Sequence, residues 1–349
     1  IRLSLVGSEM CIRDRSGKSK RFEDSVSNLA GMTAPVMTPA PDAAASRRAS
    51  PLVVLALSLV GISFAAPLIR LSNADPLVIA TWRLGFSMII VAAALLVTKG
   101  WREWRTLARR EYLFATGAGV LLAIHFWSWN ASLRYTSVAA SVALVNLQPV
   151  IIAVISVLWL QERPSRGQWI GIVLAVVGAL IVGVADVPGG LAAIGPALLG
   201  DGSSGSRALF GDLLALLGAV TAAGYYLIGR RIRQLLGLWP YVALVYGAAF
   251  VSCLLLTQLA GKPLLPQPPR ELAIFAGLAA GPMLLGHTGM NWALGHLPAF
   301  IVNLTTLGEP IGATILAALL PGIAEVPGGG TVLGGGLVLA GVLLAARRA

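Results

Sequence analysis

The sequence predicts an all-α polytopic membrane protein, with ten transmembrane helices arranged as two inverted five-helix repeats. Three observations predict it: an apolar composition, apolar blocks of membrane-spanning length, and an internal repeat. Of 349 residues, 56% are hydrophobic and 12% charged, with a mean hydropathy of +0.80. Soluble domains carry roughly 25% charged residues. The apolar residues fall in blocks of about 20, the length a helix needs to cross a hydrocarbon core of about 30 Å. In that setting only a helix satisfies its own backbone within one segment.

Taken in order, the blocks place spans near 52–70, 76–98, 112–131, 136–159, 167–185, 208–229, 239–259, 272–294, 299–320 and 328–346. Lys and Arg set the orientation. With the N-terminus inside, the cytoplasmic edges hold the clusters Arg47–Arg48, Lys99–Arg110, Arg163–Arg166, Arg230–Arg233 and Arg347–Arg348. The opposite edges hold the scattered Arg70, Arg134, Arg207, Lys262 and Arg270. This bias puts both termini in the cytoplasm and requires an even number of spans. The net charge of +11 is therefore topological, and nucleic-acid binding is excluded. Cys11 and Cys253 form no disulfide framework or metal-ligand spacing.

Residues 1–50 form an N-terminal tail. Its first fifteen residues, IRLSLVGSEMCIRDR, resemble translated sequencing adapter and are set aside from fold reasoning. Met32 or Met37 is the expected natural start. Residues 16–50, rich in Ser, Ala, Pro and Arg, are expected to be disordered. A Gly- and Ser-rich linker, 186–207, divides the spans five and five.

The repeat rests on a constant offset of 161 residues. It aligns Asn130…Leu133 with Asn291…Leu294, and Gln148-Pro149 with Glu309-Pro310. Outside that stretch and at slightly shifted offsets, Gly167 and Gly171 correspond to Gly330 and Gly334, and Gly61…Ala65-Ala66 weakly to Gly218…Ala222-Ala223. Five spans per half force the second half to enter the membrane from the opposite side. That symmetry is common in secondary transporters, where exchanging the halves' conformations moves the opening across the membrane.

Several of these residues resemble the ten-span EamA-type proteins of the drug/metabolite transporter superfamily, over about 51–346. They are Pro76…Trp82-Arg83, Asn130…Leu133-Arg-Tyr135…Gln148-Pro149, Gln161-Glu162-Arg163-Pro164, and Asn291-Trp-Ala-Leu294…Leu307-Gly-Glu309-Pro310. The chain departs at Pro321–Glu325, where such proteins carry a Leu-Gly-Glu run. The resemblance makes 51–185 the first EamA-like repeat and 208–346 the second. It implies a secondary transporter, most simply an exporter, of small metabolites, amino acids or drugs across the bacterial inner membrane, without ATP. Proton coupling and uncoupled facilitation both stay open, as do monomer and homodimer.

Polar groups inside spans are costly in hydrocarbon, so each is a candidate for the transport path. Glu309 precedes a helix-breaking proline and reads as the one carboxylate deep in a span. Arg83 is the one basic residue well inside a span, suited to a bidentate carboxylate or phosphate, or else to snorkelling. His125 and Asn130 share one helix, and His287 and Asn291 share a face of another. Asn146, Gln148, Asn303 and Thr306 sit on the matched spans four and nine, where they contact substrate or only one another. Tyr225 and Tyr226, with Trp127, Trp129 and Trp292, are candidates for a cavity wall, with the interfacial belt the favoured reading for Trp129, Trp101 and Trp104. No metal site, cofactor motif or enzyme constellation is expected. The expected partners are a small-molecule substrate, lipid and, for a coupled carrier, protons.

Overall fold

The computed structural model describes residues 50–160, 165–186, 204–297, 302 and 305–345. Residues 1–49, most of the 186–207 linker, the Gln161–Pro164 motif and Asn303 lie outside the described residues. The described residues are helical throughout, with short connections and no strand.

Span one is two helices, α1 (Pro51–Ser63) and α2 (Ala65–Leu71), joined at Phe64. Asp75 then starts α3 (Pro76–Thr98) by accepting from the Leu77 amide, with Pro76 occupying a first-turn position that needs no donor. A 3₁₀ segment, Gly100–Thr106, leads to α4 (Arg109–Ser132), followed by α5 (Val138–Val145), α6 (Gln148–Leu160) and α7 (Arg166–Asp186). The second half is built from α8 (Ser204–Ile232), α9 (Leu238–Leu259) and α10 (Pro269–Leu278). A π-helical stretch, Ala279–Thr288, continues α10 into α11 (Gly289–Ala293). A 3₁₀ turn at Thr306–Gly308, α12 (Glu309–Leu319) and α13 (Gly329–Ala345) complete it.

Six of these helical segments are long and apolar enough to cross a membrane, and four shorter apolar helices accompany them. Two of the expected spans are interrupted. Span four breaks at Asn146–Leu147, just before Gln148-Pro149, and span nine breaks at the 3₁₀ turn before Glu309-Pro310. A proline cannot donate to the preceding turn, so each break frees backbone groups at mid-span. Large apolar side chains such as Ile89, Leu96, Val97, Leu259 and Leu319 face outward, the reverse of a soluble surface and the pattern a lipid-facing perimeter requires.

The helices pair antiparallel, and their registers can be followed residue by residue. Along α3 and α9, Asp75 meets Lys262 at 3.1 Å, Thr81 meets Thr257 at 2.9 Å, Gly85 faces Phe250 and Gly100 faces Pro240. Along α7 and α13, Gly171 faces Gly341, Gly178 faces Gly334 and Ala185 faces Gly330. A Cβ on Gly178 would stand 2.6 Å from the Gly334 carbonyl oxygen, so bare Cα atoms set how closely these backbones approach. Likewise α1 lies along the π stretch, with Gly61 and Ile62 against Gly286 and Ser58 against Gly289. The α4–α8 pair matches it, with Leu121 against Gly224 and Trp129 against Gly218.

One end of the bundle is stitched across its loops. Arg70 pairs with Glu325 at 2.5 Å and also donates to the carbonyls of Leu133 and Thr136. Glu325 in turn accepts from the Val138 amide at 2.9 Å, and the buried Glu271 accepts from Ser72 and from the Asn73 amide. The departure from the Leu-Gly-Glu pattern at Pro321–Glu325 thus still delivers a carboxylate to a structural contact.

Candidate functional site

A small cavity of about 30 Å³ lies among the described helices, room for about one water. Both mid-span breaks open onto it. Its wall takes Ile62 from α1, His125 and Trp129 from α4, Asn146 and Gln148 from the span-four break, Tyr225 and Tyr226 from α8, His287 and Met290 from span eight, and Thr306 and Glu309 from the span-nine break. Helices α3, α7, α9 and α13 flank this inner group.

Two hydrogen bonds cross between the broken spans. Asn146 Nδ2 donates to Glu309 Oε2, and Gln148 Nε2 donates to Thr306 Oγ1, both at 3.4 Å. These are long contacts of the kind easily exchanged for others. Glu309 makes no ion pair among the described residues. His125 Nδ1 lies 2.9 Å from the Gly218 carbonyl. Since a carbonyl only accepts, this nitrogen carries a proton. The His125 and His287 rings are 6.3 Å apart, and no metal-ligating cluster exists among the described residues.

Arg83 stands behind this wall, fully enclosed, with its guanidinium carbon 4.1 Å from the centre of the Phe126 ring. His287 meets the same ring edge-on at 5.4 Å. None of the three guanidinium nitrogens has a hydrogen-bond partner among the described residues. Three atoms of cavity-lining side chains share that condition: Trp129 Nε1, Asn146 Oδ1 and His287 Nδ1.

Eight of the twelve sequence-predicted residues therefore line one cavity: His125, Asn146, Gln148, Tyr225, Tyr226, His287, Thr306 and Glu309. Arg83 adjoins it. Asn130 and Asn291 do not line it. Asn130 donates to the Pro76 carbonyl at 3.2 Å. Asn291 accepts from Tyr225 at 2.8 Å and donates to Tyr246 at 3.2 Å, so both tie helices together.

Three expectations are corrected. Trp129 is 2% exposed and walls the cavity rather than joining an interfacial belt, because α4 is enclosed by α8 and α5 at that depth. Glu309 is not the sole buried carboxylate within a span. Asp212 in α8 is 3% exposed and accepts from Thr136 at 2.8 Å. Its Thr136 partner lies on the loop after α4, which only the α4–α8 pairing brings near. Arg233, counted among loop cations, is 3% exposed and donates to the Asn291 and Leu236 carbonyls. Tyr246, unremarked in the sequence, belongs to the Asn291 network. A tyrosine in an apolar span gives no signal by itself.

These features define a multi-pass helical membrane protein with broken helices around a small cavity that has polar groups in its wall. The chain belongs to the EamA-like transporter family, which matches residues 47–184 and again 209–347. It is 24% identical over 132 residues to an uncharacterized transporter of Archaeoglobus fulgidus, covering 37% of this chain and 46% of that one. It is 25% identical over 97 residues to an uncharacterized transporter in the cobO 3'region of Sinorhizobium sp., covering 28% and 69% respectively. The match thus spans under half the length of the first relative. A solved crystal structure of a protein shares the fold with a TM-score of 0.59 at 17% identity, over 84% of this chain and 96% of that one.

Proposed function

We propose that this membrane transporter is a secondary carrier of small organic solutes, working by alternating access across a bacterial inner membrane with the central cavity as its substrate site. The reading takes ten spans in two inverted repeats, 51–185 and 208–346, with both termini cytoplasmic and export as the direction. The observation that carries it is the antiparallel pairing of equivalent helices, α3 with α9 and α7 with α13, around a cavity onto which both broken spans open. Helices related in this way can exchange conformations, so that a cavity closed at one end in one state is closed at the other in the next. On this reading the Arg70–Glu325 clamp ties one end of the bundle together.

Proton coupling is assigned to Glu309, the one carboxylate in the cavity wall among the described residues. It is faced by Asn146 and lies within electrostatic reach of Arg83 and Tyr226. The test is reconstitution into proteoliposomes. Candidate solutes come from a metabolite and toxin-resistance screen in cells producing residues 32–349, and uptake is followed with and without an imposed pH gradient. Stimulation by the gradient in the parent, lost in Glu309→Gln while solute counterflow persists, supports coupling. Counterflow with no gradient effect in either protein would make it an uncoupled facilitator. No counterflow of any screened solute would reject the carrier.

A further inference from the structure

A second and larger cavity, of about 310 Å³, lies at the end of the bundle where Arg70 and Glu325 meet. Its wall takes residues from α2, α7 and α12, from the start of α5, and from the loop that leads into α13. That volume is in the range of small-molecule sites, and none of its lining residues belongs to the central cavity.

Several polar groups around it are already engaged. Arg70 pairs with Glu325 and donates to the carbonyls of Leu133 and Thr136. Glu325 also accepts from the Val138 amide at the start of α5, and Ser137 caps the Ala140 amide of the same helix. The charges of Arg70 and Glu325 therefore cancel locally, and α5 already has its anion.

The start of α13 has none. Its first helical bond runs from the Val332 amide to the Gly328 carbonyl. The amides of Gly329, Gly330 and Thr331 precede that bond, and none has a partner among the described residues. Gly328, at the capping position, has no side chain to supply one, and no acidic residue stands in the first turn. A Cβ on Gly328 or Gly329 would meet nothing within 4 Å, so the space beside both is open. Thr331 is 7% exposed and lines the cavity, and its hydroxyl makes no hydrogen bond among the described residues. A buried hydroxyl without a partner is costly, and bare amides at a helix start carry the positive end of its dipole.

The type of donor selects the type of acceptor. A planar carboxylate is matched best by a guanidinium fork, and the Arg70 fork is taken. A tetrahedral phosphate, whose oxygens point several ways, is matched by amides at a helix start. Because Arg70 and Glu325 cancel, only the partial charge of the helix end is left to balance. A single negative charge suits it, whereas a dianion would be repelled by Glu325. Val138, Ala185, Ala317, Val326 and Pro327 form the apolar part of the wall, a surface for the organic groups of an ester. Val326 is also 82% exposed, which makes that apolar wall continuous with the outer surface.

We propose that the start of α13, with Thr331, binds a singly charged phosphodiester in this cavity, supplied by a lipid headgroup or by a soluble diester. The site stands whether or not the central cavity carries solutes.

The test uses the full chain in an uncharged, phosphate-free detergent and three probes at one ionic strength: dimethyl phosphate, dioctanoylphosphatidylglycerol and acetate. Calorimetry reads affinity, and thermal unfolding reads stabilisation. Both phosphodiesters should bind and raise the unfolding midpoint, and acetate should do neither. Thr331→Val keeps the shape, removes the hydroxyl and should weaken both diesters by about tenfold. Gly328→Asp sets a carboxylate before the same amides. It should raise the midpoint without any probe and abolish the response to both diesters. If it does not fold, Gly328→Asn, a neutral cap, decides, and it should weaken both diesters by about tenfold. Counting only the binding that the capping variant removes, a lipid at least tenfold tighter than dimethyl phosphate assigns the site to a headgroup. A smaller ratio assigns it to soluble diesters. Acetate acting as strongly as the diesters, a diester response left intact in Thr331→Val or in the capping variant, or no binding of either diester would each overturn the site.

Discussion

On the ten-span reading, spans four and nine hold equivalent places in the two halves and break in the same way, yet they differ in charge. Gln148 and Glu309 each precede a proline, and each reaches across to the other half, Gln148 to Thr306 and Glu309 to Asn146. Only the second is a carboxylate. The first half answers with Arg83 on α3, whereas the antiparallel partner α9 presents the neutral Tyr246 in the same region. What the halves share is backbone geometry: paired registers, small residues at crossings and breaks at mid-span. What they do not share is charge. On the carrier reading, the shared part supplies a motion that can run in both directions, and the unshared part decides what moves.

The comparison can be broken first at its shared geometry. Gly334 and Gly336 are two residues apart on α13. A Cβ on Gly334 would stand 2.7 Å from the Gly178 carbonyl oxygen and 2.8 Å from the Val182 amide, whereas one on Gly336 meets nothing within 4 Å. Gly334→Ala should cost about 3 kcal/mol, the upper part of the usual overpacking range, because the obstacle is backbone. Gly336→Ala should be neutral or stabilising by a few tenths of a kcal/mol, through helix propensity. Thermal unfolding in detergent reads both, and equal effects would mean that α7 and α13 do not meet in this register.

The unshared charge comes next. Glu309→Gln makes the second break resemble the first, and gradient-driven solute flux should fall by about tenfold or more while counterflow persists, as expected for losing a charged contact used in coupling. Gln148→Glu, which makes the first break resemble the second, should not restore flux in the Glu309→Gln background, because Arg83 and the cavity's aromatic wall keep their original places. Restoration would show that the two breaks are interchangeable.

A smaller contrast separates the matched asparagines. Interhelical hydrogen bonds inside membranes average about 0.6 kcal/mol and reach about 1.7. Asn291 ties α11 to Tyr225 and Tyr246, whereas Asn130 makes one bond to the Pro76 carbonyl. Asn291→Ala should therefore cost about 1–2 kcal/mol and Asn130→Ala about 0.6, as read by unfolding. The smallest effect belongs to the clamp. Arg70 and Glu325 are each about a quarter to a third exposed, so Glu325→Gln should cost no more than about 1 kcal/mol, an effect that shrinks as salt is raised. A larger, salt-independent loss would mean that the Val138 amide contact, rather than the ion pair, holds that end.

Much of the candidate site was legible in the sequence. A polar residue in an apolar block stands out because hydrocarbon gives it no partner, and that singled out His125, Asn146, Gln148, His287, Thr306 and Glu309, all of which the fold gathers on one wall. The same reasoning fails for residues whose surroundings come from another helix. Trp129 reads as a belt residue until α8 covers it. Asp212 and Arg233 sit near block edges and look solvated until Thr136 and the Asn291 carbonyl close on them.

The sequence alone determined the membrane-spanning helical class, the two-fold repetition of the chain and the break before Glu309-Pro310, whereas the matching break before Gln148-Pro149 emerged only in the fold. Each is a local matter. In hydrocarbon a backbone must satisfy itself within its own segment, and a proline removes a donor wherever it stands. The tertiary structure decided which polar groups share a cavity, which are spent on holding helices together and which are left without a partner. Those outcomes depend on antiparallel registers between segments up to about 230 residues apart, such as Ser58 donating to the Leu285 carbonyl. No local pattern encodes a distance of that kind. Arg83 is the clearest case: its type was visible in the sequence, and its isolation on the Phe126 ring only in the fold.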